Sequence, residues 1–446
     1  MRIVVVGAGK LGYCVARLLS KGQFDVVVVE SDEARRNIVK NTLDVLTICG
    51  NGCSEEVLNM PEVKDADVCV ACTSSDEVNM IISFLAKEHG IKYTIAQIKS
   101  QDYEAHADQL LHKEMRIDLA LNPNRILANK IKSILESPSA LAFDSFANGK
   151  INLYEINVSK DSEYLGKALK DITLPAGVLI AMITRGNDMI IPHGAEVIEK
   201  DDNIYFVGTN AAISVLKAKL DAGYKKMEHA LVIGASQTVR ILMPMLEELN
   251  VFTKVIDNDK DRCQQLVEMV NNGMVLCGDG TDFTFLKEEG IADADVVLCL
   301  TDNDKMNLLF ALISRNLGAK KTIVRVARSE YVSLMEDAGI DITMSARLLF
   351  ASEVLKFVRR NSLMGLLLLE GAQAEMMELQ VGKDDPVEGK SLLKADFPKN
   401  CLICAVFRKE EAFIPDGNTV LTAGDRIVVL AQNSVVPDVV KLFKNK

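Results

Sequence analysis

Residues 2–12 read RIVVVGAGKLG. A run of β-branched residues enters Gly7-x-Gly9-x-x-Gly12. The stretch that follows, KLGYCVARLLSKG, sets Cys14, Ala16, Leu18 and Leu19 on one apolar side of a helix. Strand, glycine turn and helix in that order form the fingerprint of a dinucleotide-binding βαβ unit. Gly7 allows the tight turn, Gly9 lets backbone approach a pyrophosphate, and Gly12 is expected to let the helix pack close to the sheet. The helix start offers N–H donors and partial positive charge to phosphates. Glu30 closes the next strand, DVVVVE, 18 residues past Gly12. Its carboxylate can accept both hydroxyls of an adenosine ribose and would repel a 2′-phosphate, which favours NAD or ATP over NADP. Candidate ligand contacts here are Gly7, Ala8, Gly9, Lys10, Leu11, Gly12 and Glu30.

Working outward, DVLTICG, DADVCVACT, KYTIAQI and MRIDLALNP read as further strands, and their near-continuous apolar runs indicate a parallel sheet covered on both faces. DEARRNIVKN starts acidic, as a helix dipole prefers. SDEVNMIISFLAKEHG is a helix with Ser or Asp as N-cap and Gly90 beyond its end. Pro123 opens another helix that stops at Pro138. Ligands in such folds lie at the carboxyl ends of the strands. This adds Gly50-Asn51-Gly52 after strand three and Thr73-Ser74 after strand four. For these residues turn and N-cap duty is an equal alternative.

The pattern then occurs again. ALVIGASQTV (230–239) matches the opening segment at an offset of 227, and Asp257 matches Glu30 at the same offset. CTSSDEVNM matches LTDNDKMNL at an offset of 228. A period above 200 residues is a duplicated domain set and not a solenoid unit. The second copy has Ser236 in place of Gly9 and Val239 in place of Gly12. Ser236 stands where backbone should touch phosphate, and Val239 should push the helix away unless it repacks. Its candidates are Gly234, Ala235, Ser236, Gln237, Thr238, Asp257 and Thr301. A mononucleotide, a weaker dinucleotide and an empty site all remain open there.

Composition shifts after each copy. Residues 139–225 read as short strands, with turns at Asn148-Gly149 and Arg185-Gly186-Asn187-Asp188, closed by the helix AAISVLKAKLDA. The module recurs at an offset of 223, with Arg185 matching Arg408 and Ile191-Pro192 matching Ile414-Pro415. The expected fold is therefore α/β, two tandem Rossmann-like domains each followed by a small α+β domain. The expected boundaries are 1–138, 139–225, 226–362 and 363–446, with DAGYKKMEH (221–229) as a polar linker.

A net charge of −11 argues against non-specific nucleic-acid binding. No apolar run reaches the length of a membrane span, and the N-terminus enters a strand with no secretory leader. Most of the ten cysteines sit in apolar segments, as buried free thiols do. Cys69-x-x-Cys72 and Cys401-x-x-Cys404 lie in strands, where positions three apart point to opposite faces, so neither reads as a metal or redox site. His106 and His112 flank a helix at a spacing poor for ligation. No acid–base set for hydride transfer is present. The duplication leaves little room for a substrate domain, which favours a ligand sensor over a dehydrogenase.

GAGKLG, Glu30, GNGCSEEVL, CTSSDEVNM and IKSQDY, with CGDGTDFTFL, LTDNDKMNL and ARSEY in the second copy, resemble the RCK/KTN family, which regulates potassium conductance. The likeness covers nearly the whole chain, including LGKALKDITLPAG and its partner GKSLLKADFPKN. It implies RCK N and RCK C domains and nucleotide contacts at Gly7 to Leu11, Glu30, Thr73-Ser74, Gly234 to Thr238 and Asp257. It also implies NAD(H) or alternatively ATP/ADP as ligand, with no chemistry performed on it. The implied assembly is a cytosolic homo-oligomeric ring, tetrameric in subunits, beneath a membrane potassium-transporting subunit of the TrkH or TrkG type. Where the family often carries Arg, this chain has Gln97, which removes one cation from beside the phosphates.

Overall fold

The computed structural model describes residues 1–22, 24–136, 142–146, 150–158, 162–186, 188–221, 227–328, 330–360, 366–369, 374–409 and 411–443. The chain packs as two compact units. One holds Met1–Lys132 with Met227–Leu355, the other Ser133–Lys226 with Lys356–Lys446.

In the first unit, β1 (Arg2–Val6), β2 (Asp25–Glu30), β3 (Leu46–Cys49), β4 (Val68–Ala71), β5 (Tyr93–Gln97) and β6 (Leu119–Leu121) form one sheet in the order β3-β2-β1-β4-β5-β6. All its pairings are parallel. Val26 to Val29 are buried, as a strand covered on both faces requires. The order reverses between β1 and β4, so a crevice opens at the carboxyl ends of those strands. Asp32, Ser54 and Ser75 cap the helices that follow β2, β3 and β4, each side chain accepting a backbone N–H from the first turn. Gly90 takes a left-handed φ of 95° just beyond the helix Asp76–Glu88.

The second copy repeats this arrangement. Here β12 (His229–Ile233), β13 (Phe252–Asp257), β14 (Gly273–Cys277), β15 (Val296–Cys299), β16 (Thr322–Val326) and β17 (Ile342–Ser345) run in the order β14-β13-β12-β15-β16-β17. Phe350 and Leu355, on the helix after β17, are buried within this chain.

The second unit contains two antiparallel five-stranded sheets. One joins β7 (Ala142–Phe146), β8 (Ile151–Asn157), β9 (Val178–Arg185), β10 (Asp188–Ile190) and β11 (Asn203–Thr209) as β7-β8-β11-β9-β10. The other joins β18 (Leu366–Leu369), β19 (Ala374–Gln380), β20 (Cys401–Arg408), β21 (Glu411–Phe413) and β22 (Arg426–Gln432) as β18-β19-β22-β20-β21. Ile151, Leu153, Met182, Tyr205 and Val207 of one sheet share a core with Met376, Ala405, Phe407, Val428 and Leu430 of the other. The matched arginines are explained: each clamps a buried aspartate through two bonds. Arg185 holds Asp202 at 2.8 and 2.9 Å, and Arg408 holds Asp425 at 2.9 and 2.7 Å. Asp188 pairs with Arg185 across the expected turn, whereas Asn148-Gly149 and most of the linker lie outside the described residues.

The ten cysteines are free thiols. Burial pushes Cys69 and Cys404 up to about 12 and Cys401 up to about 11, which disfavours the thiolate that metal binding and disulfide exchange need. Among the described residues no cluster of His, Cys, Asp or Glu could hold a metal ion, and no helix is long and apolar enough to cross a membrane.

Candidate functional site

Strand β1 ends in a turn whose first residue, Gly7, has φ 96°, where L side chains are strained. A Cβ on Gly7 would also lie 2.9 Å from the Cys72 carbonyl oxygen. The helix Lys10–Lys21 starts directly after Gly9. Glu30, almost fully buried at the end of β2, closes this turn: one carboxylate oxygen accepts the Ala8 N–H at 2.6 Å. The other accepts the Asp32 N–H at 2.9 Å and the Ser31 hydroxyl at 3.3 Å. A carboxylate offers about four acceptor positions, so capacity remains for a ligand hydroxyl.

The crevice at this turn is a cavity of about 450 Å³. Gly7, Gly9, Lys10, Leu11, Glu30, Gly50, Asn51, Gly52, Thr73 and Ser74 all line it. Ala8 faces a neighbouring hollow. Gly12 lines neither, and the reason for its glycine differs from the expected helix–sheet approach. A Cβ there would fall 1.9 Å from the Gly7 carbonyl oxygen, so Gly12 spares the turn itself.

The glycines also separate by what they need. At Gly50 a Cβ would meet Val57 at 2.6 Å, and at Gly52 it would meet Val6 at 2.3 Å, so packing explains both. At Gly9 it would meet nothing within 4 Å, and φ is an ordinary −61°. Among the described residues no steric contact requires glycine at 9, and the space beside it opens into the cavity.

Thr73 and Ser74 owe their position to the motif that follows them. The Asn79 amide oxygen accepts the Thr73 N–H at 2.8 Å and its hydroxyl at 2.7 Å, while its NH₂ donates to the Gln97 carbonyl at 2.9 Å. Asp76 accepts the N–H groups of Lys99 and Ser100 at 2.7 and 2.8 Å. The Asp-x-x-Asn spacing thus ties the end of β4 to the end of β5, and residues at both ends line the cavity. Thr73 serves the turn and Ser75 is the cap, while Ser74 stays free to face the cavity. The sequence reading missed Lys99, Arg35 and Ser31, which also line it. Lys99 was detectable: it lies two residues beyond Gln97, on the same side of an extended chain. It puts an ammonium on the wall that Gln97 also lines, and that ammonium donates to the Ser74 carbonyl at 3.3 Å.

The TrkA-N domain model matches residues 3–123 and 230–346, and the TrkA-C domain model matches residues 153–221 and 376–444. The chain belongs to the TrkA family. A relative from Methanosarcina mazei, Trk system potassium uptake protein TrkA homolog 1, is 36% identical over 100% of both chains. Trk system potassium uptake protein TrkA of Halomonas elongata is 28% identical over 100% of this chain and 99% of its own. Among solved structures, the GsuK channel bound to NAD shares the fold, with a TM-score of 0.66 and 18% identity over 97% of this chain and 77% of that one.

The second TrkA-N copy keeps the frame and alters the surface. Gly234 has φ 110°, and Asp257 accepts the Ala235 N–H at 2.6 Å, as Glu30 does for Ala8. Asn307 braces Thr301 to the Arg325 carbonyl as Asn79 braces Thr73. Ser236 is buried, and its hydroxyl has no partner among the described residues. Val239 is fully buried on the helix Gln237–Glu248, so this copy accommodates a side chain where the first has Gly12. Gln237 is exposed, whereas Thr238 is buried and donates to the Asn124 side chain of the first copy at 3.0 Å. Arg325, at the position of Gln97, is neutralised by Asp302 and donates to the Thr301 carbonyl at 2.9 Å.

Proposed function

We propose that the chain is a nucleotide-binding regulatory subunit of a Trk-type potassium uptake system. Its ligand is NAD(H), or alternatively ATP or ADP, held at the first copy by Gly7 to Leu11, Glu30, Gly50 to Gly52, Thr73-Ser74 and Lys99. The observation that carries this reading is Gly9: a glycine that no steric contact among the described residues demands, at a helix start, beside a buried strand-end acid. The names of the curated relatives support the potassium role, and NAD bound to a channel of the same fold supports the ligand class. The proposed partner is a membrane potassium-transporting subunit of the TrkH or TrkG type. The proposed setting is a homo-oligomeric ring, peripheral to the inner face of the membrane, with domains divided at 138, 225 and 362.

The chemistry is binding alone. A ligand that favours one arrangement of the domains shifts the population toward it by its differential affinity. Coupling of about 1–3 kcal/mol is typical of such linkage. Calorimetric titration with NADH and with ATP tests the reading. Micromolar binding, lost in Gly9→Val, is expected, and silence with both nucleotides removes it. Restored growth of a transporter-deficient cell on limiting potassium tests the partner. Substrate-dependent loss of NADH absorbance would instead mark an oxidoreductase.

A further inference from the structure

The cavity at Gly9 continues beyond the first Rossmann copy. Gly9, Lys10 and Arg35 line both it and an adjoining hollow of about 470 Å³, to which the second copy contributes Arg347. Arg347 is the second residue of the helix Ala346–Arg360, immediately after β17. Its counterpart in the first copy is Asn124, second residue of the helix Pro123–Leu135 after β6. The two copies therefore offer the same helix start to each other's glycine turn. Asn124 accepts a hydrogen bond from Thr238 beside the second turn, and Arg347 faces the first.

Arg347 is half-buried, and among the described residues no carboxylate is paired with it. Burial, with the Arg325 and Arg328 charges, lowers its proton affinity; Asp304 acts the other way. The Asp304 carboxylate also accepts the N–H groups of Ala327 and Arg328, at 2.7 and 3.0 Å. On its other side Arg347 shares a smaller hollow with Lys10, Arg17 and Arg328, and no acidic residue lines it. In a chain of net charge −11, Arg347 stands at a helix start with Lys10 and Arg328 beside it, so this wall of the cavity carries positive charge.

We propose that Arg347 is a phosphate ligand, supplied by the second Rossmann copy to the nucleotide held by the first. The inference rests on the nucleotide reading above. With the adenosine ribose at Glu30 and the first phosphate at Gly9, the chain of further phosphates runs toward Arg347. A guanidinium there makes two parallel charge-assisted bonds to it. Ligands with more than one phosphate then bridge the copies, and a monophosphate does not.

The test uses the full-length chain and its Arg347→Met variant, which keeps the aliphatic stem. Dissociation constants are measured for AMP, ADP, ATP and NADH. The variant is expected to bind ATP and ADP about 10-fold more weakly, the effect of losing one charge-assisted contact, with AMP within about twofold. NADH weakening alongside ATP assigns the contact to the second phosphate; weakening of ATP alone assigns it to the third. Unchanged affinities for all polyphosphates overturn the inference. If the unaltered chain binds no nucleotide, the underlying reading fails instead. A wild-type readout covers misfolding of the variant: modification of Arg347 by phenylglyoxal, read by mass spectrometry, is expected to be suppressed by ATP and not by adenosine. Equal modification with both also overturns the proposal.

Discussion

Gly9 and Gly12 are three positions apart in one motif, yet they answer to different constraints. Gly9→Ala is expected to cost no more than about 1 kcal/mol, the usual loss of glycine at a helix cap, while nucleotide affinity falls by at least about 10-fold. Gly12→Ala should do the opposite. Its Cβ, 1.9 Å from a carbonyl oxygen, forces turn or helix to shift, at about 1–3 kcal/mol of stability. Urea unfolding of the unliganded variants, alongside nucleotide titration, separates the two; equal destabilisation would show that the Gly9 space is needed by the fold. Glu30 is a poorer probe, because its removal also leaves the buried Ala8 N–H without its 2.6 Å partner.

Among elements, the two Asp-x-x-Asn braces differ in consequence despite equal geometry. Asn79 and Asn307 are both fully buried and each joins two strand ends. Replacing either by alanine orphans a backbone N–H and should cost about 1–3 kcal/mol. Only Asn79→Ala should also weaken nucleotide binding at the first site, since it releases Thr73 and Ser74. Parallel thermal melts and titrations of the two variants check this. In the antiparallel sheets, Asp425 shows a clear pH effect. Burial alone would raise its pKa, but hydrogen bonds from Arg408 and Thr422 outweigh it and hold the carboxyl below the usual range. Its folded value is depressed, so its stabilisation is present above the unfolded value of about 3.9 and is lost as pH falls through the folded one. Unfolding followed from pH 7 down to pH 3 should show a shallower acid limb in Asp425→Asn, from a lower starting stability.

For the whole molecule, the duplication is a packing device as well as a repeated fold. The face of the first small sheet carrying Ile151, Leu153, Met182, Tyr205 and Val207 is buried by its counterpart in the second half. A fragment ending at residue 225 bares that face. It is expected to self-associate through it, because a bared core surface of this kind is not stable in water. Sedimentation equilibrium of the fragment checks this, and a stable monomer at micromolar concentration would contradict the shared core.

What the chain determined by itself was local and periodic: a strand, a glycine turn, a helix and an acid at fixed spacing, written twice. Those features depend on neighbouring residues and on backbone conformation, so the parallel sheet, the glycine turns at Gly7 and Gly234 and the strand-end acids Glu30 and Asp257 were readable from the sequence. The contacts made across the sequence were not readable. Nothing near position 12 says that its neighbour is a carbonyl five residues back, and nothing near 347 says that it faces a turn more than 300 residues earlier. Val239 was an obstacle in the sequence and is a well-buried core residue in the structure, because a helix can move by the width of a side chain when the surface beneath it changes. Only tertiary packing set the helix starts after β6 and β17 beside the other copy's glycine turn, because that juxtaposition joins residues far apart in the chain.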